Sequence, residues 1–267
     1  MNYAFQVEYL EQAIRNHINN EELVNVLNSQ GSNIIAWGNG HVKEFSSATI
    51  QKLYFKTQYP GVLIGTGYPH QTGIPTGEIQ VGFSFDYVTG VPYYPGSSLK
   101  GVLRTLFDDA IQGEDDNLYL CYIRDALNET GVETADKSIL REFVDLVFGN
   151  KNISGESMCG NDIFYGGFIV GFKNRIIGMD SLAPHGKDLT KAPVPIAMLR
   201  IMPEVNIVFV IDTRNNEKLN ELGFSNEVRC SLYRKLLEDF GIGAKRNVGY
   251  GNLLSDEKFQ YKDKKNK

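Results

Sequence analysis

Two amphipathic helix patterns, each set between strand patterns, constrain the fold of this chain most. Apolar side chains recur over residues 99–111 at the three- and four-residue spacing of one helix face. A second such pattern covers Asn226–Phe240. Apolar runs predict strands at 81–88, 162–172 and 205–212, with a last strand after the second helix. The order strand, helix, strand, strand, helix, strand predicts an α+β, ferredoxin-like core with split βαβ connections, an arrangement shared with the RRM.

The N-terminal part of the chain is predicted to add helices to this core. Helical spacing covers residues 8–28 and returns from about Ser47 to Phe55, so residues 1–58 are assigned to an N-terminal helical extension. Residues 112–160 are polar and contain one further amphipathic stretch, which predicts a helical insertion.

The ferredoxin-like domain itself is assigned to residues 59–255, and residues 256–267 form a charged tail that should fray. A proline-rich stretch over 179–199 looks too polar for a core element. Loops of such length usually serve a function.

Composition and charge narrow the functional classes. The chain is 42% hydrophobic and 22% charged, as folded globular proteins are. Its net charge of -5 has the wrong sign for a protein that coats nucleic acid by charge alone, so any such site must be local. The sequence shows no apolar run of the length that a membrane span needs, which predicts a cytoplasmic protein without membrane contact. Cys121, Cys159 and Cys230 are too scattered for a disulfide framework or a zinc site, and no cofactor is expected.

The start of the first helix is the first candidate binding site. Gly96, Ser97 and Ser98 open this helix, and either serine could cap it. Free backbone N–H groups at a helix start favour anions, and Lys100 and Arg104 follow four residues apart on the polar side. These residues predict a phosphate site. A plain capped helix with two solvated basic residues is the alternative.

The glycine-rich segment after the second helix is the second candidate. Gly243 keeps the backbone open, Lys245, Arg246 and Asn247 supply charge and hydrogen bonds, and Tyr250 offers a stacking face. These are the ingredients of single-stranded RNA binding. The alternative is a helix stop followed by a hairpin turn.

Gly65 and Thr66 form a third, less specific candidate, because a glycine strand edge lets RNA lie close. Neither this segment nor the start of the first helix matches a nucleotide-binding fingerprint. Lys100 is followed by glycine where a P-loop has the hydroxyl for Mg²⁺.

Catalytic groups are sparse in the sequence. His70 could act as a general base, but it has no acidic partner nearby in sequence. Asp180 and His185 could hold a metal ion, yet a third ligand is missing. No known hydrolase motif occurs, and we therefore expect a protein without enzymatic activity.

Three sequence segments occur in an order that resembles the RAMP superfamily of CRISPR effector proteins. They are LIGTG, then GVPYYPGSSLKGVLR, then GIGAKRNVGYGNL. Within the superfamily, QTGI, DSLAPH and APVPIAML resemble the family of sixth subunits of the type III-B Cmr complex. The likeness covers residues 60–254. It departs at Phe164-Tyr165-Gly166-Gly167, where relatives often have F-x-D-A.

The resemblance implies a subunit without catalytic activity that binds guide RNA near its 3′ end and shapes the guide–target duplex in antiviral defence. Its partners would be guide RNA, target RNA and the other Cmr backbone subunits, and His185 joins the expected RNA-binding residues. Members that cut RNA are expected to use an aspartate after the first glycine strand, but Tyr68–Gly77 has no acidic residue. Two alternatives stay open. One is an RNA endonuclease that uses His70 or His185, and the other is a subunit that contacts only protein.

Overall fold

A computed structural model describes residues 21–22, 24–25, 28, 47–64, 84–86, 91–114, 117–132, 136–150, 158–182 and 196–256. The strands are β1 Ile50–Thr57, β2 Tyr93–Pro95, β3 Ile163–Phe172, β4 Ile177–Leu182, β5 Ile196–Ile201, β6 Val205–Asp212 and β7 Leu253–Ser255. The helices are α1 Gly96–Gln112, α2 Leu118–Glu129, α3 Lys137–Phe148, α4 Glu217–Glu221 and α5 Asn226–Phe240, followed by a short 3₁₀ turn at Arg246–Val248. Among these helices none is long and apolar enough to cross a membrane.

Five strands form an antiparallel sheet in the order β2-β3-β6-β1-β7, and β4 and β5 form a separate hairpin. The central strand β6 is buried along almost its whole length because both of its faces are covered. On one face, Phe209 packs edge-on against Phe55 and Tyr94, with ring centroids 5.7 and 5.9 Å away. The main core joins this face to the apolar sides of α1 and α5. Burial of each large apolar side chain stabilises such a core by about 1.5–3 kcal/mol.

The helix predicted from Ser47 to Phe55 is wrong, because this segment contains β1. Ile50, Leu53 and Tyr54 have helical spacing, but Leu53, Phe55 and Thr57 alternate into the core at the period of a strand. Pairing with β6 on one side and β7 on the other decides the conformation. The sheet therefore includes residues 50–57 of the predicted N-terminal extension.

The N-terminal helix predicted over residues 8–28 is described at only a few positions, and those are helical. Asn28 connects it to the hairpin: its amide donates to the Ile177 carbonyl (2.8 Å) and its carbonyl oxygen accepts from the N–H groups of Ile176 and Ile177. These bonds fix the segment to the start of β4.

The two strong helix predictions are confirmed as α1 and α5. In α5 the Ser225 hydroxyl caps the Val228 N–H, and Gly241 ends the helix at a φ of 67°. The predicted serine cap of α1 is wrong, because Pro95 is the N-cap residue and Ser97 and Ser98 lie in the first turn.

The strands predicted at 162–172 and 205–212 are confirmed as β3 and β6, and the last strand as β7. The strand predicted at 81–88 lies mostly outside the described residues. Within it, Phe85 bridges to Pro92, which leads into β2.

The polar segments were predicted less well. Residues 112–160 hold the expected amphipathic helix, α3, and a second helix, α2, that the sequence did not reveal. The stretch 179–199 was judged too polar for a core element, yet β4 and β5 extend into both of its ends and bury Met198 and Leu199. Pairing with each other satisfies the backbones of these two strands, which is why they form despite polar neighbours in sequence.

A candidate nucleic-acid interface at the glycine loop

Residues 241–251, here called the glycine loop, connect α5 to β7 and lie against the chain that follows β1. The Ala244 N–H donates to the Leu63 carbonyl (3.0 Å), and the Gly251 N–H donates to the Gly61 carbonyl (2.9 Å). Backbone hydrogen bonds at both ends give this loop a fixed path across the end of the sheet.

Glycine is required within this loop for reasons of packing. Gly243 has a φ of 78°, and a Cβ there would lie 2.3 Å from the Leu63 carbonyl oxygen. Gly251 has a φ of 87°, and its Cβ would lie 1.9 Å from the Ile242 carbonyl oxygen. The glycine density therefore has a structural explanation, and only the side chains between the glycines indicate a binding site.

Three consecutive polar side chains, Lys245, Arg246 and Asn247, are exposed on the glycine loop. Lys245 adopts the left-handed conformation, with a φ of 59°, and begins the 3₁₀ turn. The Arg246 guanidinium donates to the Phe240 carbonyl at the end of α5 (3.2 Å), which orients it. The loop thus presents two cations on a chain whose net charge is -5.

Tyr94 links the glycine loop to the start of α1. Its hydroxyl accepts the Gly243 N–H (3.2 Å), and it stands two residues before Gly96. Burial raises the pKa of Tyr94, while the hydrogen bond from Gly243 and the charge of Arg246 act in the opposite direction. One side chain therefore connects the first and second predicted binding sites.

The first turn of α1 fits an anion site in part. Gly96 has no room for a side chain, since a Cβ would lie 1.8 Å from the Phe164 carbonyl oxygen. Ser97 and Ser98 are exposed, and no side chain of the described residues caps the helix. Their N–H groups belong to the helix end that favours negative charge.

The two basic residues of α1 differ in their surroundings. Lys100 is partly exposed and forms no ion pair within the described part of the chain. Arg104 pairs with Asp108 (3.3 Å) and donates to the Gly149 carbonyl at the end of α3 (3.1 Å). This geometry gives Arg104 a structural role in holding α3, so Lys100 is the freer of the two cations.

Tyr250 does not have the open ring face that a stacking role requires. It is buried against Leu63 and Met198, and its hydroxyl donates to Asp180. Burial and this hydrogen bond raise the pKa of Tyr250 to about 12. The predicted stacking role of Tyr250 is therefore wrong, and this side chain instead positions the glycine loop.

Asp180 is engaged in this same cluster. Its carboxylate pairs with Arg200 (3.0 Å), which also donates to the Pro60 carbonyl (2.6 Å). The cluster ties the β4–β5 hairpin to the chain after β1. Among the described residues no group of histidine, cysteine, aspartate and glutamate side chains is arranged to hold a metal ion.

Gly65, Thr66 and His185 lie outside the described residues, as does His70. The structure thus brings together the start of α1 and the glycine loop, and gives no position for the third candidate.

Sequence reasoning missed Tyr59, which borders the glycine loop and is 82% exposed. Its neighbour Pro60 lies beside the loop: a Cβ added to Gly249 would be 3.7 Å from the proline Cδ, and the next residue, Gly61, accepts the Gly251 N–H. The only sequence signal was an aromatic residue before a Pro-Gly turn.

A second buried polar cluster, at the opposite end of the sheet, joins α5 to β3. Arg229 is fully buried, pairs with Asp162 and donates to the Arg214 carbonyl (2.8 Å), while the Tyr233 hydroxyl donates to Asp162 (2.8 Å). Because its two charged groups pair with each other and are sealed from solvent, we assign this cluster to stability.

Comparison with known proteins identifies the superfamily of this chain. The family model of the RAMP superfamily matches residues 54–254, and the chain belongs to that superfamily. It resembles Cmr6 in particular. The CRISPR system Cmr subunit Cmr6 of Pyrococcus furiosus (strain ATCC 43587 / DSM 3638 / JCM 8422 / Vc1) is 25% identical over 206 residues, a match that covers 62% of this chain and 58% of that relative.

Solved structures share the fold. A chain in the cryo-EM structure of the type III-B Cmr-beta bound to cognate target RNA superposes with a TM-score of 0.56 at 21% identity, covering 89% of this chain and 71% of that one. The crystal structure of Cmr6 from Pyrococcus furiosus gives a TM-score of 0.50 at 22% identity, with 79% and 100% covered. Both likenesses extend well beyond the glycine loop.

Proposed function

We propose that this chain is an RNA-binding backbone subunit of a type III-B CRISPR effector complex in the cytoplasm. It holds guide RNA near the 3′ end and supports the guide–target duplex in antiviral defence. The exposed side chains of Lys245, Arg246 and Asn247 carry this proposal, since Tyr94 connects them to the anion-favouring start of α1.

The sheet supports a ferredoxin-like core within this proposal. The strand order β3-β6-β1-β7 places β6 antiparallel between β1 and β3, as a split βαβ unit requires, and α1 lies on the connection from β1 to β3. Helix α5 supplies the equivalent crossover from β6 to β7. In such a core β2 and the β4–β5 hairpin are additions.

Contact through phosphates suits the proposed role. In guided systems base pairing reads the sequence, and the protein binds the backbone and its geometry. Lysine, arginine and helix-start N–H groups are donors that recognise phosphate in any sequence. An acidic chain with a local basic site fits a protein that binds RNA as one subunit among several.

We propose further that this chain does not cut RNA. The support comes from the sequence, because Tyr68–Gly77 lacks the acidic residue that the resemblance leads us to expect in cutting subunits. The carboxylate of Asp180, one of two candidate metal ligands, is already held by Arg200 and Tyr250.

Reconstitution of the complex tests this function. The chain would be assembled with the other Cmr subunits and guide RNA, and the guide would be footprinted by nuclease protection. We expect protection near the guide's 3′ end that weakens in a Lys245→Ala/Arg246→Ala variant. In samples where this chain would be the only source of cleavage, we expect the target RNA to stay uncut. Assembly with an unchanged footprint would favour a subunit that contacts only protein.

A further inference from the structure

We propose that Tyr59 is a stacking platform for an unpaired base of the RNA whose phosphates the glycine loop contacts. The inference rests on the proposed function and adds to it a ligand for the most exposed aromatic side chain of the described residues. The ligand is a nucleobase, and Tyr59 binds it without selecting among the bases.

The exposure of Tyr59 sets it apart from other surface aromatics. Its side chain is 82% exposed, against 40% for Tyr119 and 37% for Tyr165. Tyr119 also stacks on Phe240, with ring centroids 5.9 Å apart, so one of its faces is occupied. Tyr59 has no ring partner within the described residues, and its ring can receive a base.

The backbone that carries Tyr59 is fixed on both sides. The Gln58 N–H donates to the Asn252 carbonyl (3.0 Å), and the Pro60 carbonyl accepts from Arg200 (2.6 Å). Two residues on, the Gly61 carbonyl accepts from Gly251. Because the backbone of this turn is already ordered, stacking of a base on Tyr59 would cost little backbone conformational entropy.

The surroundings of Tyr59 match the chemistry of single-stranded RNA. Pro60 lies against Gly249, which directly follows the turn that carries Arg246 and Val248. Val248 is itself 58% exposed. Exposed aromatic and apolar side chains therefore lie on the segments next to the two cations, and single-strand binders combine stacking surfaces with charged tracks for the phosphates. A lone exposed tyrosine would need no explanation, but this combination does.

Fluorescence binding of single-stranded guide-like RNA to the full chain tests the proposal. Wild type would be compared with Tyr59→Ala, Tyr59→Phe and the control Tyr119→Ala. Loss of base stacking is expected to weaken binding roughly 5- to 150-fold in Tyr59→Ala. Tyr59→Phe and Tyr119→Ala should bind within about twofold of wild type, and the salt slope should not change, because stacking neutralises no phosphate.

A scan of single abasic sites along the RNA locates the stacked base. One abasic position should weaken wild type and have no further effect on Tyr59→Ala. If Tyr59→Ala binds like wild type while Lys245→Ala/Arg246→Ala weakens binding, the stacking inference is wrong and the proposed function stands. If Tyr59→Ala binds RNA like wild type but no longer binds a neighbouring subunit, Tyr59 is a protein contact and the stacking inference is also wrong. If wild type binds no RNA, the proposed function itself fails.

Discussion

At the scale of single residues, tyrosines near the glycine loop have different roles that sequence does not separate. Tyr250 and Tyr59 both lie within two residues of a glycine, but Tyr250 is buried with its hydroxyl bonded to Asp180, and Tyr59 is exposed. The difference arises from the hairpin that supplies Asp180, which is distant in sequence. Basic residues at the loop could be predicted from sequence because exposed charge needs no distant partner.

Removal of the Tyr250 hydroxyl should loosen the contact between the loop and the hairpin. A hydrogen bond to a charged group contributes about 1.5–3 kcal/mol, and Tyr250→Phe should lower the free energy of unfolding by an amount in that range. Urea denaturation measures it, with Tyr59→Phe as the control that should change nothing. Equal stability of the two variants would show that this bond contributes little.

The same residue predicts a dependence of stability on pH. Burial and Asp180 raise the pKa of Tyr250 to about 12 in the folded protein, whereas the unfolded value is about 10. The contribution of Tyr250 is therefore complete below pH 10 and is lost as pH rises toward 12. The stability difference between wild type and Tyr250→Phe should shrink over that interval in urea titrations. A constant difference would contradict the assigned pKa.

At the scale of elements, the fold could be predicted where local pattern and tertiary role agree. Helices α1 and α5 both carry a clear apolar stripe, and α5 also ends at the glycine that the sequence predicts. The prediction for the segment of β1 failed because Ile50, Leu53 and Tyr54 have helical spacing. Only the pairing with β6 and β7 shows that the segment is a strand. Strands β4 and β5 were missed because they flank a long polar stretch that dominates the sequence pattern, and because each pairs with the other and not with the main sheet.

The buried cluster that joins α5 to β3 gives an element-scale prediction. Arg229→Met would leave the Asp162 carboxylate buried without its partner, and breaking such a pair lowers the free energy of unfolding by about 3–5 kcal/mol. Adding Asp162→Asn should recover part of this loss, because no unpaired charge then remains. Chemical denaturation of both variants measures the recovery. A double variant less stable than Arg229→Met would refute the pairing argument.

Two glycines should respond to alanine in opposite directions. Gly243→Ala places a Cβ 2.3 Å from the Leu63 carbonyl oxygen at a positive φ, so it should destabilise the protein by more than about 1 kcal/mol and displace the glycine loop. Gly101 lies within α1, and a Cβ there meets no atom of the described residues within 4 Å. Gly101→Ala should therefore stabilise by about 0.5–1 kcal/mol. Thermal denaturation of the pair checks both signs.

At the scale of the whole molecule, charge is unevenly distributed. Four acidic side chains, Glu129, Glu227, Glu238 and Asp239, line a groove of about 440 Å³ between α2 and α5, together with Arg234 and Lys235. The exposed cations of the glycine loop follow the C-terminal end of α5. A net charge of -5 is therefore compatible with a local basic site on the glycine loop, even though acidic side chains line the neighbouring helix.

The salt dependence of RNA binding is the sharpest test of whether Lys245 and Arg246 contact RNA phosphates. Affinity of the full chain for a labelled guide-like single strand would be measured across a salt series for wild type, Lys245→Ala/Arg246→Ala, and Lys218→Ala/Arg214→Ala. The last pair has exposed side chains near the opposite end of β6 and removes the same charge.

Each phosphate contact contributes about 0.7 to the slope of log affinity against log salt for single strands. We expect the loop variant to bind more weakly, with a slope shallower by about 1.4, and the control to retain the wild-type slope. Equal slopes for the loop variant and wild type would contradict this expectation and make Lys245 and Arg246 ordinary surface residues.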